Sequence, residues 1–209
     1  MNEITCCTMY ADGGAGPDGS IGSSVVVGLP SDASFGYGFL APAPAYDPSR
    51  LVTVPDSPAL DPGTARATIS VRLNTTGTGE YNVIQKGQAP DTGFYKIQVN
   101  GNGARPGIPD CTFGNGRGNQ RVLIATTTTV NDGLWHSISC TKDTSATGTL
   151  VMTLTVDGAA LTKNFTTTPA FALGNTKPLT IGGKSKCNGT TVDCDYFEGL
   201  IDSAGVATG

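Results

Sequence analysis

Asn131-Asp132-Gly133-Leu134-Trp135-His136, Val156-Asp157-Gly158, Ile181-Gly182-Gly183 and Tyr196-Phe197-Glu198-Gly199-Leu200-Ile201-Asp202 succeed one another through the C-terminal part of the chain. Each is a punctuation mark of β structure. Trp135 and His136 open an alternating strand, Leu134 to Thr141. Asp157-Gly158 comes directly after the apolar strand Leu150 to Val156 and is a strong signal for a two-residue hairpin. Ile181 ends a short strand on a glycine turn, and Phe197 to Val206 reads as the last strand.

Working outward, the same beat continues towards the N-terminus. Ala67 to Leu73 puts Ala67, Ile69, Val71 and Leu73 on one face, a half-buried strand. Further strands are predicted over Ser23 to Gly28, Arg50 to Val54, Tyr81 to Lys86, Phe94 to Val99, Ile108 to Phe113, Arg121 to Thr126, Lys163 to Thr167 and Leu179 to Ile181. Pro55-Asp56-Ser57-Pro58 and Asp61-Pro62-Gly63 break the pattern with turn chemistry. Ala41-Pro42-Ala43-Pro44-Ala45 cannot be a central strand, because proline removes ladder donors. Some twelve short strands in one chain is the spacing of a two-sheet antiparallel jelly-roll sandwich. Residues 1–22 are rich in Gly, Asp and Pro without a period of their own. They read as a flexible or partner-docking arm ahead of a sandwich spanning residues 23–209.

Composition agrees. The chain has 209 residues, enough for one large core but too few for two comfortable domains. Charged residues make up only 14%, glycine is abundant at 29, and threonine recurs in runs, a mixture suited to pleated strands and tight turns. The net charge is −4 and the 13 Lys and Arg are scattered, so a nucleic-acid partner, which needs a basic face, is excluded. The most apolar run, Val25 to Leu29, is far too short to insert in a membrane.

The order of these segments resembles that of laminin-G-like domains of the concanavalin A-like lectin superfamily: N-D-G-x-W-H, V-D-G, P-L-x-I-G-G, then F-x-G-x-I-D. Upstream, Val52-Thr53-Val54-Pro55-Asp56-Ser57 is similar to the V-x-V-P-D-S strand of bacterial laminin-G-like domains, and Ile84-Gln85-Lys86-Gly87 to their I-x-x-K-G strand. The likeness covers roughly residues 46–206. Arg72 stands where the family usually carries tryptophan, which puts in doubt an aromatic contact from that strand. The resemblance implies a structural calcium ion, held by Asp47 and Asp202 with backbone carbonyls completing the shell. Without the ion, Asp202 reads as a strand-end residue bonding a backbone N–H.

The cysteines suggest an oxidising environment. Cys187 and Cys194 bracket a short loop and form a natural hairpin staple, worth roughly 2.5 kcal/mol by loop closure. Cys111 and Cys140, on strands with inward-facing neighbours, are placed to bridge the core. Reduced, buried thiols are the alternative for all four. Cys6 and Cys7 are adjacent and poorly disposed to bond each other. Met1 does not begin a secretory signal, so either a leader has been removed or the protein leaves the cell by another route.

Catalysis finds little support. Glycoside hydrolysis needs two carboxyl groups flanking one oxygen, whereas the three glutamates, Glu3, Glu80 and Glu198, lie on separate segments. Asp193 and Asp195 flank a cysteine and read as solvated. His136, the sole histidine, shares a face with Ile138 and Cys140 and reads as a buried group donating to a backbone carbonyl. Sugar binding needs aromatic faces and polar readers. Tyr95 and Tyr196 are the candidate ligand contacts, with Phe94 and Tyr46 behind them. Phe94 and Tyr95 must point to opposite faces. An aromatic content of 7% argues for weak, calcium-assisted or purely structural use.

The expectation is therefore a non-catalytic, secreted or surface-displayed recognition and adhesion module with a glycan or cell-surface protein as partner. The alternatives are a structural subunit of a virion or surface appendage, oligomerising through the N-terminal arm, and, with less support, a glycoside hydrolase.

Overall fold

The computed structural model describes residues 2–5, 8–10, 16–31, 35–39, 46–101, 106–115, 121–144, 148–167, 171–186 and 194–209. Two antiparallel sheets face each other. In spatial order the nine-stranded sheet runs β1 (Asn2–Thr5), β2 (Thr8–Tyr10), β3 (Gly19–Ile21), β6 (Val52–Val54), β15 (Leu179–Ile181), β8 (Tyr81–Lys86), β9 (Phe94–Val99), β10 (Pro109–Gly114) and β11 (Arg121–Ala125). The seven-stranded sheet runs β14 (Ala159–Thr166), β13 (Thr149–Val156), β12 (Trp135–Asp143), β7 (Ala67–Asn74), β16 (Gly199–Thr208), β5 (Phe35–Phe39) and β4 (Val26–Pro30). The chain crosses repeatedly between layers, which is the jelly-roll arrangement. No α-helix occurs among the described residues, only 3-10 turns at Pro48–Arg50 and Pro58–Leu60.

The inward faces of the two sheets supply one continuous core. Ile69, Val71 and Leu73 of β7 meet Ile97 and Val99 of β9, and Ile138 of β12 joins Phe113 of β10 in the same cluster. Cys111 on β10 and Cys140 on β12 are bonded across this layer, with Cα atoms 6.3 Å apart, so a covalent link joins the two sheets. Cys194 is also disulfide-bonded. Its expected partner Cys187 lies outside the described residues, as do Cys6, Cys7, Asp193 and the loop 41–45. Threonine-rich strands meet through hydroxyl pairs, Thr68 with Thr141 at 2.9 Å and Thr153 with Thr162 at 3.0 Å, a cross-strand contact that stabilises the sheet without core burial.

Within residues 1–22, β1, β2 and β3 pair successively and join the sheet edge through Ser20 opposite Thr53 and Ile21 opposite Val52. Segments this short have too few side chains to show a period, so main-chain pairing is their only mark.

The V-P-D-S turn and the K-G strand end meet in space. Lys86 closes β8 with its side chain fully buried, 0% exposed, and its ammonium donates to Asp56 at 2.7 Å, Asp61 at 2.8 Å and the Asn175 carbonyl. A buried cation needs such a cage, so the two segments hold each other in place.

Candidate functional site

The hairpin and the Trp-His pair form a single clamp. Asp157 and Gly158 both have positive φ, 50° and 84°, the geometry of a type I′ turn between β13 and β14. That turn presents the Asp157 carboxylate to β12. One oxygen accepts from the Ser137 N–H at 2.8 Å, and the other lies 2.6 Å from His136 Nδ1. The second ring nitrogen of His136 lies 2.9 Å from Asp132 Oδ1. His136 is buried at 8% exposure, as expected, but it bridges two carboxylates rather than donating to a backbone carbonyl. Burial disfavours the imidazolium, yet Asp157 and Asp132 outweigh it and hold the pKa above its ordinary 6.5. Both carboxylates are committed to the histidine, so the group fastens the β13–β14 hairpin to β12.

The carboxylates expected to hold calcium are already engaged. Asp202 is the extra residue of a bulge in β16, opposite the junction of Leu73 and Arg72. Its side chain is 6% exposed. It accepts from the Ser31 hydroxyl at 3.0 Å and faces Arg72 Nε at 3.7 Å. Arg72 also donates to Ser137 Oγ at 3.0 Å and lies 5.7 Å above the Trp135 ring, so a cation–π contact stands where an aromatic pair was in doubt. Asp47 caps the Pro48–Arg50 turn, accepting from the Ser49 N–H at 3.0 Å, and faces Arg50 at 3.3 Å. A guanidinium thus sits against each carboxylate. Among the described residues no three His, Cys, Asp or Glu gather as ligands.

The two tyrosines are also structural. Tyr95 turns into the core and donates to the Leu60 carbonyl at 2.9 Å; burial raises its pKa far above the usual range. Tyr196 packs with Leu51 and Cys194 and exchanges hydrogen bonds with the Asp47 backbone. Strand alternation leaves Phe94 as the aromatic of its pair on the other face.

That other face is the unusual part of the molecule. In the seven-stranded sheet, β7, β12 and β13 alternate buried inward residues with more exposed outward ones. In the nine-stranded sheet, β8 and β10 are buried throughout and β9 everywhere but Lys96. Their outward residues are nevertheless polar: Asn82 and Gln85 on β8, Lys96 and Gln98 on β9, Asp110 and Thr112 on β10. Of these, Gln85, Lys96 and Gln98 line a cleft of about 270 Å³, together with Gln88, Ala89, Pro90, Lys184 and Asp195, with Arg121 of β11 and Glu80 also at its wall; Asn82, Asp110 and Thr112 lie outside its lining. Phe94 sits directly opposite Gly114 in the ladder, and a Cβ at Gly114 would come within 2.0 Å of its ring. Glycine there is what lets the phenyl lie flat across the neighbouring strand.

Hydrogen bonds tie the floor together. Gln98 Nε2 and Asn100 Nδ2 donate to Asp110 Oδ2 at 2.9 and 2.7 Å. Asn82 Nδ2 donates to Asp195 Oδ2 at 2.5 Å, and the same oxygen meets the Lys184 ammonium at 2.6 Å. Lys96 donates to Gln98 Oε1. Four buried oxygens on this face have no hydrogen-bond partner among the described residues: Asn82 Oδ1, Gln85 Oε1, Asp110 Oδ1 and Thr112 Oγ1. Burial raises the pKa of Asp110, against the pull of Asn100, Lys96 and Gln98.

The model of the concanavalin A-like lectin/glucanases superfamily, in its laminin G form, matches residues 48–207. The chain belongs to this superfamily. No curated protein matches its sequence. Solved structures of similar shape include domain 4 of AbnA, an extracellular arabinanase of Geobacillus stearothermophilus, in complex with arabinotriose. It has a TM-score of 0.63 at 12% identity, covering 95% of this chain and 85% of that one. The CBM40 module of the Ruminococcus gnavus sialidase, bound to α2,3-sialyllactose, has a TM-score of 0.52 at 13% identity over 69% and 77%. Domains LG4-5 of the mouse laminin α1 chain have a TM-score of 0.51 at 18% identity over 68% of this chain, which spans only 35% of that fragment. At such identities the likeness to these structures shows the fold alone. No helix among the described residues is long and apolar enough to cross a membrane.

Proposed function

We propose that the protein is a non-catalytic glycan-recognition module acting outside the cell, with its saccharide seated in the cleft on β8–β11. The observation that carries this reading is the walled polar cleft itself, in which Gln85, Lys96 and Gln98 of the sheet and Gln88 and Arg121 beside it crowd hydrogen-bonding groups around one aromatic edge, Phe94. The Gln85 amide is oriented by donating to the Gly87 carbonyl at 2.5 Å, so its other end is an acceptor. A site of mixed donors and acceptors suits a polyhydroxyl sugar. Phe94 is 3% exposed and contributes an edge to the wall.

Binding without turnover is supported by the state of the carboxylates. Asp195 is held by Lys184 and Asn82, and the raised acid Asp110 is tied by two amides below the cleft surface. The saccharide-bound relatives and the core disulfide favour the same reading. Phe94 lies outside the core cluster but is itself buried, so thermal unfolding of Phe94→Ala is measured beside its binding. On a glycan array the variant is expected to lower binding about tenfold or more, the loss of one packed wall of a small site. Equal binding by the variant, or no saccharide bound by the native protein, would count against the cleft.

A further inference from the structure

From the charges lining the cleft, we infer that it selects a carboxylate-bearing sugar, with Lys96 and Arg121 receiving the carboxylate. This deepens the glycan reading above and rests on it. Three cations line the cleft, Lys96, Arg121 and Lys184, against two carboxylates, Glu80 and Asp195. Lys184 and Asp195 cancel each other at 2.6 Å. Lys96 and Arg121 form no ion pair with any described carboxylate. The partner of Lys96 is the neutral Gln98 amide. Both residues lie on outward positions of the same sheet, Lys96 opposite Thr112 on β10 and Arg121 opposite Gly114 on that strand.

The two cations act on each other. Burial holds the pKa of Lys96 down and the charge of Arg121 pushes it further, against the favourable pull of Asp110 and Asp195. A carboxylate placed between them relieves both strains. Arg121 supplies the planar fork that grips a carboxylate in two places, and Lys96 supplies a point charge from the floor. The chain as a whole is acidic, with a net charge of −4, so an unspecific pull on anions is not the source. Attraction falls off within about 10 Å at moderate salt, which leaves the local pair in control.

Matched ligand pairs separate the charge from the sugar. Titration calorimetry with trigalacturonic acid against its methyl ester, and with 3′-sialyllactose against lactose, keeps the ring frame while removing the carboxylate. Whichever acid binds shows whether a uronate or a sialate is the source. The acid of at least one pair is expected to bind about tenfold tighter than its neutral partner, the usual worth of a charge-assisted contact. That preference should shrink as salt is raised. Lys96→Met and Arg121→Gln should each erase most of it, read as the ratio of acid to neutral affinity within each variant. The salt titration uses the native protein and so does not depend on either variant folding. Equal or tighter binding of the neutral members, still lost in Phe94→Ala, overturns the charge inference and leaves the cleft standing. Binding of no member of either pair overturns both.

Discussion

Replacing Cys111 and Cys140 together with alanine is expected to lower the free energy of unfolding by about 3.5 kcal/mol, the loop-closure value for a bridge of this span. The two sulfurs link positions 29 residues apart, and both side chains are wholly inside the core. The bond does more than shorten the unfolded chain. β10 belongs to the nine-stranded sheet and β12 to the seven-stranded one, so it is a rivet through the sandwich. It also fixes β10, which pairs with β9 and β11, the strands that carry Lys96, Gln98 and Arg121 of the cleft. Loss of the bridge should therefore weaken saccharide binding as well as stability. Urea unfolding of the native protein and the double variant measures the first effect directly. A loss below about 1 kcal/mol would mean that the sheets are held together without the bond.

The second large effect comes from the His136 clamp. Asp157→Ala removes the acceptor for the Ser137 N–H, strips His136 of a carboxylate, and puts alanine at positive φ in the turn. A cost of about 2–3 kcal/mol is expected. The clamp also sets a pH window. The folded pKa of His136 is raised, so its contribution is complete below the ordinary value of 6.5 and is lost as pH climbs through the folded one. Those of Asp132 and Asp157 are lowered. Burial opposes the Asp157 shift and His136 drives it, while for Asp132 the His136 hydrogen bond leads. Their contribution is present above the ordinary 3.8 and is lost as pH falls through the folded values. The stability difference between the native protein and His136→Gln should therefore peak between roughly pH 5 and 6.5 and narrow on both sides. Thermal unfolding across that range tests it; a difference that grows steadily towards pH 9 would show that the histidine acts as a neutral group.

These features were not equally legible in the sequence. The core strands were plain, because Ile69, Val71 and Leu73, or Met152, Leu154 and Val156, announce a period of two. The Asp157-Gly158 turn was equally plain, since few residues accept positive φ twice in succession. β5 was missed although Phe35, Tyr37 and Phe39 alternate. Glycine at 36 and 38 reads as a turn, yet a Cβ on Gly38 would meet Leu29 at 2.6 Å, so there it serves close strand approach. β14 begins at Ala159, four residues before its predicted start, because an edge strand exposed along nearly its whole length carries no alternation.

The cleft was the least visible part. Asn82, Gln85, Lys96, Gln98, Asp110 and Thr112 are the polar half of alternating strands, and that pattern is the same whether the face meets open water or a walled pocket. Only the depth of burial separates the two cases, and burial depends on loops folded from elsewhere in the chain. Phe94 against Tyr95 shows the limit well. Alternation demands opposite faces, but nothing local says which face holds the core. Arg72 beside Asp202 is similar: a departure from the family pattern was visible, and its consequence, a fixed cation against the expected metal ligand, required the bulge in β16.

The most direct test of the central claim is to locate the bound saccharide by amide chemical-shift mapping, using the best ligand found on the array. The largest shifts are expected along Gln85, Phe94 to Gln98, Asp110 to Thr112 and Arg121, with the outer face of β12, β13 and β14 unmoved. Shifts centred on the seven-stranded sheet, or on the Trp135 and Arg72 end of the sandwich, would contradict a binding face on β8–β11.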